Sequence, residues 1–337
     1  MKVKDLPFSM QPVGWFQIGW SGDIPVGTVK ALRYFSQDLV AFRGEDGELR
    51  VMNAHCHHLG AHIGHGGKVK GNAVQCPYHG WVWDGDGRNI HIPYQENLVN
   101  KRLKTWHVQE QHGCIFMWHD PTGSRPRWDL PHMFDSFRDF DDREEAGFYP
   151  IYPAGTRIWP AEEVHPQITF ENSVDSMHFT YVHDSPMDPV LLEQDFRNDD
   201  SVFRTVFGFK SVKTGEVSMQ FDTRTSGVGC SFNVFKGSYN YRVLFCGTPV
   251  DDEVSDLFNT IWWPRRDGDT SDEIPPDLQK RISDEILTTV DQDLLIWRNQ
   301  AYVDRPLLAK QDVIAFTALR KWQKGFYDLP PLAADQD

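Results

Sequence analysis

Short apolar runs broken by Gly and Asp turns dominate the chain from Trp15 to about Asp120. TVKALRY, LVAFRG, LRVMNA, AVQCPY, WVWDG and GCIFMWHD are rich in β-branched and aromatic residues. EDGE and GDGR punctuate them, so an all-β unit is predicted. From 121 to 150 the sequence PTGSRPRWDLPHMFDSFRDFDDREE is charged, Pro-containing and aperiodic, and reads as a connecting segment. Beyond it, SVFRTVFGFK, GEVSMQFDTRTS, SYNYRVLFCGTPV and FNTIWWP read as strands of an antiparallel sheet. DLQKRISDEILTTVDQDLLIWRNQAYV, Asp277 to Val303, follows Pro275 and Pro276 and reads as one long helix. The expected layout is therefore α+β: an all-β domain over 1–120, a connector over 121–150, and a sheet-plus-helix domain over 151–337.

The helix carries one polar anomaly. Ile282, Ile286, Val290, Asp293 and Trp297 fall at steps of four, four, three and four, on one stripe. A carboxylate on an apolar stripe is costly unless it binds a metal or pairs with a buried Arg or Lys. Asp291 lies roughly 200° from Asp293 on the helical wheel and is expected at solvent.

Composition narrows the function class. Apolar residues make up 40% and aromatics 13% of the 337 residues, which suits a globular protein with substantial cores. A net charge of -14 disfavours binding to a phosphate backbone, so no nucleic-acid partner is expected. No apolar run reaches the length of a membrane span, and the N-terminal segment lacks a secretory core; the expected location is cytoplasmic. Five cysteines in such a chain point to metal ligation before disulfides.

Two constellations carry candidate chemistry. Cys56 and His58 form C-x-H; Cys76 and His79 form C-x-x-H after an interval of seventeen residues. Each half supplies one thiolate and one imidazole, as a Rieske [2Fe–2S] centre requires, with two Cys on one iron and two His on the other. The competing reading is a structural Cys2His2 zinc site, but zinc fingers pair like with like, C-x-x-C and H-x3–5-H. His57, His62 and His65 are taken as ordinary nearby imidazoles, and Cys114, Cys230 and Cys246 as core thiols. The second constellation is D-x-x-H-x4-H: Asp175, His178 and His183. Two imidazoles and a carboxylate form the facial triad of non-haem Fe(II) oxygenases, and Asp293 is the candidate third ligand. A spacing of five does not keep both histidines on one helical face, so the helix there must be distorted, a π-bulge being one way, or end, or the second His must come from its flank.

CHHLGAHIGHGGKVKGNAVQCPYHGWVWDGDG resembles the cluster loops of the Rieske non-haem iron oxygenases, with Tyr78 and Trp81 in the place of the aromatics that shield the cluster. DQDLLIWRNQAYVDRPLL and ALRKWQKGFY resemble the C-terminal region of the steroid-ring hydroxylases, in particular 3-ketosteroid 9α-hydroxylase oxygenase components. The resemblance implies a helix-grip, START-like catalytic domain and a mononuclear Fe(II) on His178, His183 and Asp293. It implies that Asn172 stands near that iron. It also implies that Asp175 links a Rieske His of a neighbouring subunit to an iron-binding His in a head-to-tail homotrimer. A steroid monooxygenase taking O2 and electrons from a flavin/iron–sulfur reductase or ferredoxin is expected, since no nucleotide-binding G-x-G-x-x-G is present. The alternatives are a Rieske oxygenase or demethylase for another hydrophobic substrate, and an electron carrier without catalytic iron. Trp262, Trp263, Phe232, Phe235 and Phe245 are candidate walls of an apolar pocket.

Overall fold

The computed structural model describes residues 6–195, 200–237 and 240–327. The chain forms two compact units: Ile18–His119, and a second made of the residues up to Gln17 with those from Asp120 onward.

The strands up to His119 are β1 (Gly14–Trp20), β2 (Val29–Tyr34), β3 (Gln37–Arg43), β4 (Leu49–Asn53), β5 (Lys68–Lys70), β6 (Ala73–Gln75), β7 (Val82–Trp83), β8 (Asn89–His91), β9 (Thr105–Trp106), β10 (Val108–Gln111) and β11 (Cys114–His119). They form antiparallel sheets ordered β2-β3-β4-β9 and β5-β6-β7-β8, and a third ordered β1-β11-β10. AVQCPY leaves its sheet after Gln75, so Cys76 begins a loop. Five of these strands were not evident in the sequence. β1 is buried at every position and shows no alternation, while β5, β8, β9 and β10 are very short or polar.

The second unit contains β12 (Thr156–Glu162), α1 (Pro166–Thr169), α2 (His178–Tyr181), β13 (Asp188–Asp195), β14 (Val202–Lys210), β15 (Val217–Ser226), β16 (Cys230–Lys236), β17 (Arg242–Pro249), β18 (Ser255–Trp262), α3 (Pro276–Arg281), α4 (Thr288–Asn299) and α5 (Val313–Gln323). One seven-stranded antiparallel sheet runs β12-β18-β17-β16-β15-β14-β13. The segment expected as SYNYRVLFCGTPV begins its strand at Arg242; Ser238 and Tyr239 lie outside the described residues. β16 escaped the sequence pattern because Ser231 and Asn233 interrupt its apolar run.

The long helix runs from Pro276 to Asn299 through a π-helical stretch, Ile282–Leu287, that joins α3 to α4. It stops short of Val303 because Gln300 turns to extended backbone, ψ 135°. Its buried stripe of Leu278, Ile282, Ile286, Val290, Leu294 and Trp297 packs with Val243, Leu257 and Ile261 of the sheet. Each such side chain contributes about 1.5–3 kcal/mol of burial. Polar clamps fix the helix to β12. Asp291 Oδ1 accepts from the Trp159 indole at 2.7 Å and from Arg157 at 3.0 Å. Arg298 grips Glu162 through two bonds of 2.7 and 2.6 Å. Asp291 is thus exposed, as expected, but also engaged.

Residues 121–150 remain irregular but are packed: Met133, Phe134 and Phe137 are buried. Arg242, fully buried on β17, donates to the carbonyls of Met133, Asp141 and Arg143 and lies 3.5 Å from the Asp141 carboxylate. Burial pushes its pKa down to about 10, so it stays charged at neutral pH. No described helix is long and apolar enough to cross a membrane.

Candidate metal centres

The first constellation sits on two loops of matching design. In one, after β4, Cys56 N–H donates to Ala61 O and Gly60 N–H to Cys56 O; in the other, after β6, Cys76 N–H donates to Trp81 O and Gly80 N–H to Cys76 O. Gly60 and Gly80 close the turns at φ +75° and +73°. A Cβ on Gly80 would also meet Pro93 Cγ at 2.9 Å. Both thiols are buried, and burial, together with the neighbouring Cys76, pushes Cys56 up.

The imidazoles lie further out. The His58 and His79 rings stand 4.6 Å apart at 71°. His58 Nδ1 is buried with no partner in the protein, a lone pair kept for something else. Trp81 stacks flat on His58, 4.7 Å at 4°, and its indole is fixed by Tyr94 Oη at 2.8 Å. Tyr78, largely exposed, covers His79 at 3.8 Å. His62 and His65 contact each other, 4.5 Å between rings, and His57 is exposed.

Donor spread separates a cluster from a single zinc. Four ligands on one zinc lie within about 3.8 Å of one another, given metal–ligand lengths near 2.0–2.3 Å. Among the described residues, no three of Cys56, His58, Cys76 and His79 bring donor atoms within 4.8 Å; His178, His183 and Asp293 alone do so. Paired thiols, paired imidazoles and an orphaned Nδ1 therefore fit a two-iron cluster.

The second constellation starts at α2, a single turn capped by Asp175, whose Oδ1 accepts from the N–H of Met177 and of His178. α2 ends at Tyr181, so His183 comes from the following turn and its five-residue spacing needs no bulge; the π-helical stretch is in the long helix instead. His178 Nδ1 donates to the Asp175 carbonyl at 2.6 Å and His183 Nδ1 to Gln292 Oε1 at 2.9 Å. Both Nε2 atoms are left for the centre, where His183 Nε2 lies 3.4 Å from Asp293 Oδ1. Burial pushes His178 below its ordinary pKa, against the pull of Asp293. Burial is also the largest single influence on His183 and opposes its protonation, but the hydrogen bond and charge of Asp293 and the Gln292 bond together outweigh it and raise that group. This is how metal-binding histidines are held: one nitrogen fixed by an acceptor, the other free. Asp175 meets the His178 ring through its backbone carbonyl, while its carboxylate meets only the His178 backbone N–H.

Two cavities meet at this triad. One, about 280 Å³, is walled by aromatics including Phe179, Phe209, Phe221, Phe235 and Phe245 and also carries Thr223, Ser231, Asn233 and Asn259. The other, about 420 Å³, gathers Glu171, Asp175 and Asp312; burial and then the charge of Asp175 push the Asp312 carboxyl up. His178, Asp293, Asn172 and Trp297 border both. Of the five aromatics expected at a pocket, Phe235 and Phe245 line it. Phe232, Trp262 and Trp263 are buried core, because strand alternation turns Ser231, Asn233 and Phe235 to the cavity and Phe232 away. Gln292 and Asn259 were missed. Neither carried a sequence signal, since only the fold brings Gln292 to His183 and Asn259 to the cavity.

Comparison with known proteins agrees with this geometry. A family model described as the 3-ketosteroid 9α-hydroxylase C-terminal domain matches residues 117–327, and one described as the Rieske [2Fe-2S] domain matches 14–107. A probable 3-ketosteroid-9-alpha-monooxygenase oxygenase component of Rhodococcus rhodochrous is 30% identical, with 93% of this chain and 79% of that protein covered. A cholesterol 7-desaturase of Xenopus laevis is 25% identical over 94% of this chain and 72% of its own length. The structure of dicamba monooxygenase bound to dicamba shares the fold at a TM-score of 0.66 and 17% identity, covering 94% of this chain and 98% of that one. The donor sets fit the two groups that such enzymes use, a [2Fe–2S] cluster and one further iron. The chain belongs to the Rieske non-haem iron oxygenases, with a C-terminal domain of the 3-ketosteroid 9α-hydroxylase family, and is an oxidoreductase.

Proposed function

We propose that the chain is the terminal oxygenase of a steroid-ring monooxygenase, supplied with electrons by a separate flavin/iron–sulfur reductase or ferredoxin. In this reading Cys56 and Cys76 hold one iron of the cluster, His58 and His79 the other, and His178, His183 and Asp293 the mononuclear iron. Bound there, the two groups supply one-electron storage and dioxygen activation. The residues do the rest. Asp175 and Gln292 fix the two histidine rings, so that both Nε2 atoms and the Asp293 carboxylate converge. The aromatic walls exclude water and take up an apolar body.

One observation carries the substrate reading: an aromatic cavity bordering the triad that also offers a small polar group of side chains. Asn259 Oδ1 is buried there without a partner. A rigid polycyclic molecule matches that pattern, a hydroxyl donating to the Asn259 oxygen or a keto oxygen accepting from the Asn259 amide N–H, and relatives named for steroid substrates support it. The acid-lined cavity on the other side of the triad is the proposed route of electron delivery, with Asp175 facing a Rieske histidine of a neighbouring subunit in a homotrimer.

The test is oxygen uptake with a reductase and a panel of 3-ketosteroids, 3-hydroxysterols and small aromatic ethers, followed by product identification. A ring-hydroxylated 3-ketosteroid is expected. Coupled turnover of the aromatic ethers alone, or desaturation of a sterol alone, would overturn this reading. Asn259→Leu is expected to raise KM for the preferred steroid about tenfold, the loss of one hydrogen bond.

A further inference from the structure

Trp83 is fully buried on β7, in the core cluster that also holds Cys56, Cys76 and Trp81. Its neighbour Trp81 has a hydrogen-bond acceptor in Tyr94, but Trp83 Nε1 is buried with none. Leaving an indole N–H unsatisfied costs about 1–3 kcal/mol, so a position that keeps one needs an acceptor in the working protein. The atoms of this core cluster able to carry negative charge are the Cys56 and Cys76 sulfurs. Of the two, Cys56 lies on the loop that Trp83 packs against: its chain neighbour His57 meets the Trp83 ring edge-on, 5.7 Å between centroids at 76°.

We infer that the Trp83 indole N–H donates a hydrogen bond to the Cys56 sulfur when that sulfur ligates the cluster, and that this bond raises the cluster's reduction potential. The inference rests on Cys56 being a cluster ligand. Reduction adds one electron and no proton to the metal–sulfur core, and the indole keeps its hydrogen. A donor aimed at a ligating sulfur stabilises the more negative, reduced state and so shifts the couple upward. Trp83 is thereby a positioning residue for electron entry, acting through Cys56.

Trp83→Phe keeps the ring and removes the donor. In the full-length protein its cluster should be retained, seen as an unchanged Rieske visible and EPR signature. Its midpoint potential should fall by the equivalent of about tenfold in the reduction equilibrium, about 59 mV for one electron. A retained cluster with an unshifted potential overturns the inference. Should the variant fail to hold its cluster, the wild-type protein decides through ¹⁵N-indole labelling and pulsed EPR of the reduced state. A nitrogen coupling assignable to an indole supports the bond, and its absence overturns it. Absence of any Rieske signal in the wild type would instead refute the cluster reading itself.

Discussion

Gln292 shows how much of the mononuclear site depends on residues that bind no metal. By accepting from His183 Nδ1 it fixes the ring and tautomer, as the Asp175 carbonyl does for His178. Gln292→Ala should lower iron affinity about 10–100-fold, read by iron titration of metal-free protein; an unchanged affinity would remove its positioning role. A second single-residue prediction concerns His165, fully buried, with Nδ1 accepting from Gln167 N–H and Nε2 donating to Ser9 O. Burial pushes its pKa down to about 4, while the unfolded chain titrates near 6.5. The unfolded state therefore binds the extra proton first as pH falls. The contribution of His165 is complete above about pH 6.5 and lost progressively toward pH 4, about 3 kcal/mol in all. Denaturant melts of wild type and His165→Gln should differ in slope across that window; parallel curves would contradict it. The proposed quartet of Cys56, His58, Cys76 and His79 stands out in the sequence because mixed Cys/His halves are a local pattern. Gln292 does not: an amide accepts a hydrogen bond in many settings, and only the fold brings it to His183.

The long helix carries two carboxylates, two residues apart, with different work. Asp293 faces the cavity and the histidines, whereas Asp291 ties the helix to Trp159 and Arg157 of β12. Asp291→Ala should cost about 1–2 kcal/mol in a denaturant melt and leave the iron in place, chiefly through the orphaned Trp159 indole, the exposed Arg157 pair adding little. Loss of iron from that variant would mean that the roles are misassigned. Helical phase separated the two residues correctly in the sequence, since a stripe of Ile, Val and Trp defines the inner face. It could not show the π-helical stretch or the stop at Asn299, which depend on tertiary packing. The connector holds a comparable lesson at Arg242. Charge and proline made residues 121–150 read as a tether, yet a buried guanidinium fastens three of their carbonyls. Arg242→Met is expected to destabilise the fold by about 3–5 kcal/mol, measured by the same melts; a neutral effect would make that clasp incidental.

At the scale of the whole molecule, an all-β part followed by a part of large antiparallel sheet and helices was visible in the sequence because each carries its own periodicity, whereas the grouping of the residues before Ile18 with the second unit was not. The aromatic cavity was only partly visible. Its wall alternates along several strands, so which aromatics face inward is decided by register across the sheet. How electrons travel between centres is a question for the assembly, and Asp175 is the residue on which the proposal turns. Asp175→Asn keeps an oxygen to cap α2 and leaves the backbone carbonyl to hold His178, so both metal sites should load. Electron delivery to the mononuclear centre, followed by stopped-flow, should nonetheless slow by at least about tenfold if the carboxylate charge bridges subunits; an unchanged rate would exclude that route. The central claim, two separate iron centres in one chain, is tested most directly by metal and sulfide analysis of wild type and Asp293→Ala, with Mössbauer spectra of both. The account predicts about three irons and two sulfides per chain, and loss of only the high-spin mononuclear iron in the variant. Zinc in place of iron and sulfide, or an iron content untouched by Asp293→Ala, would contradict it.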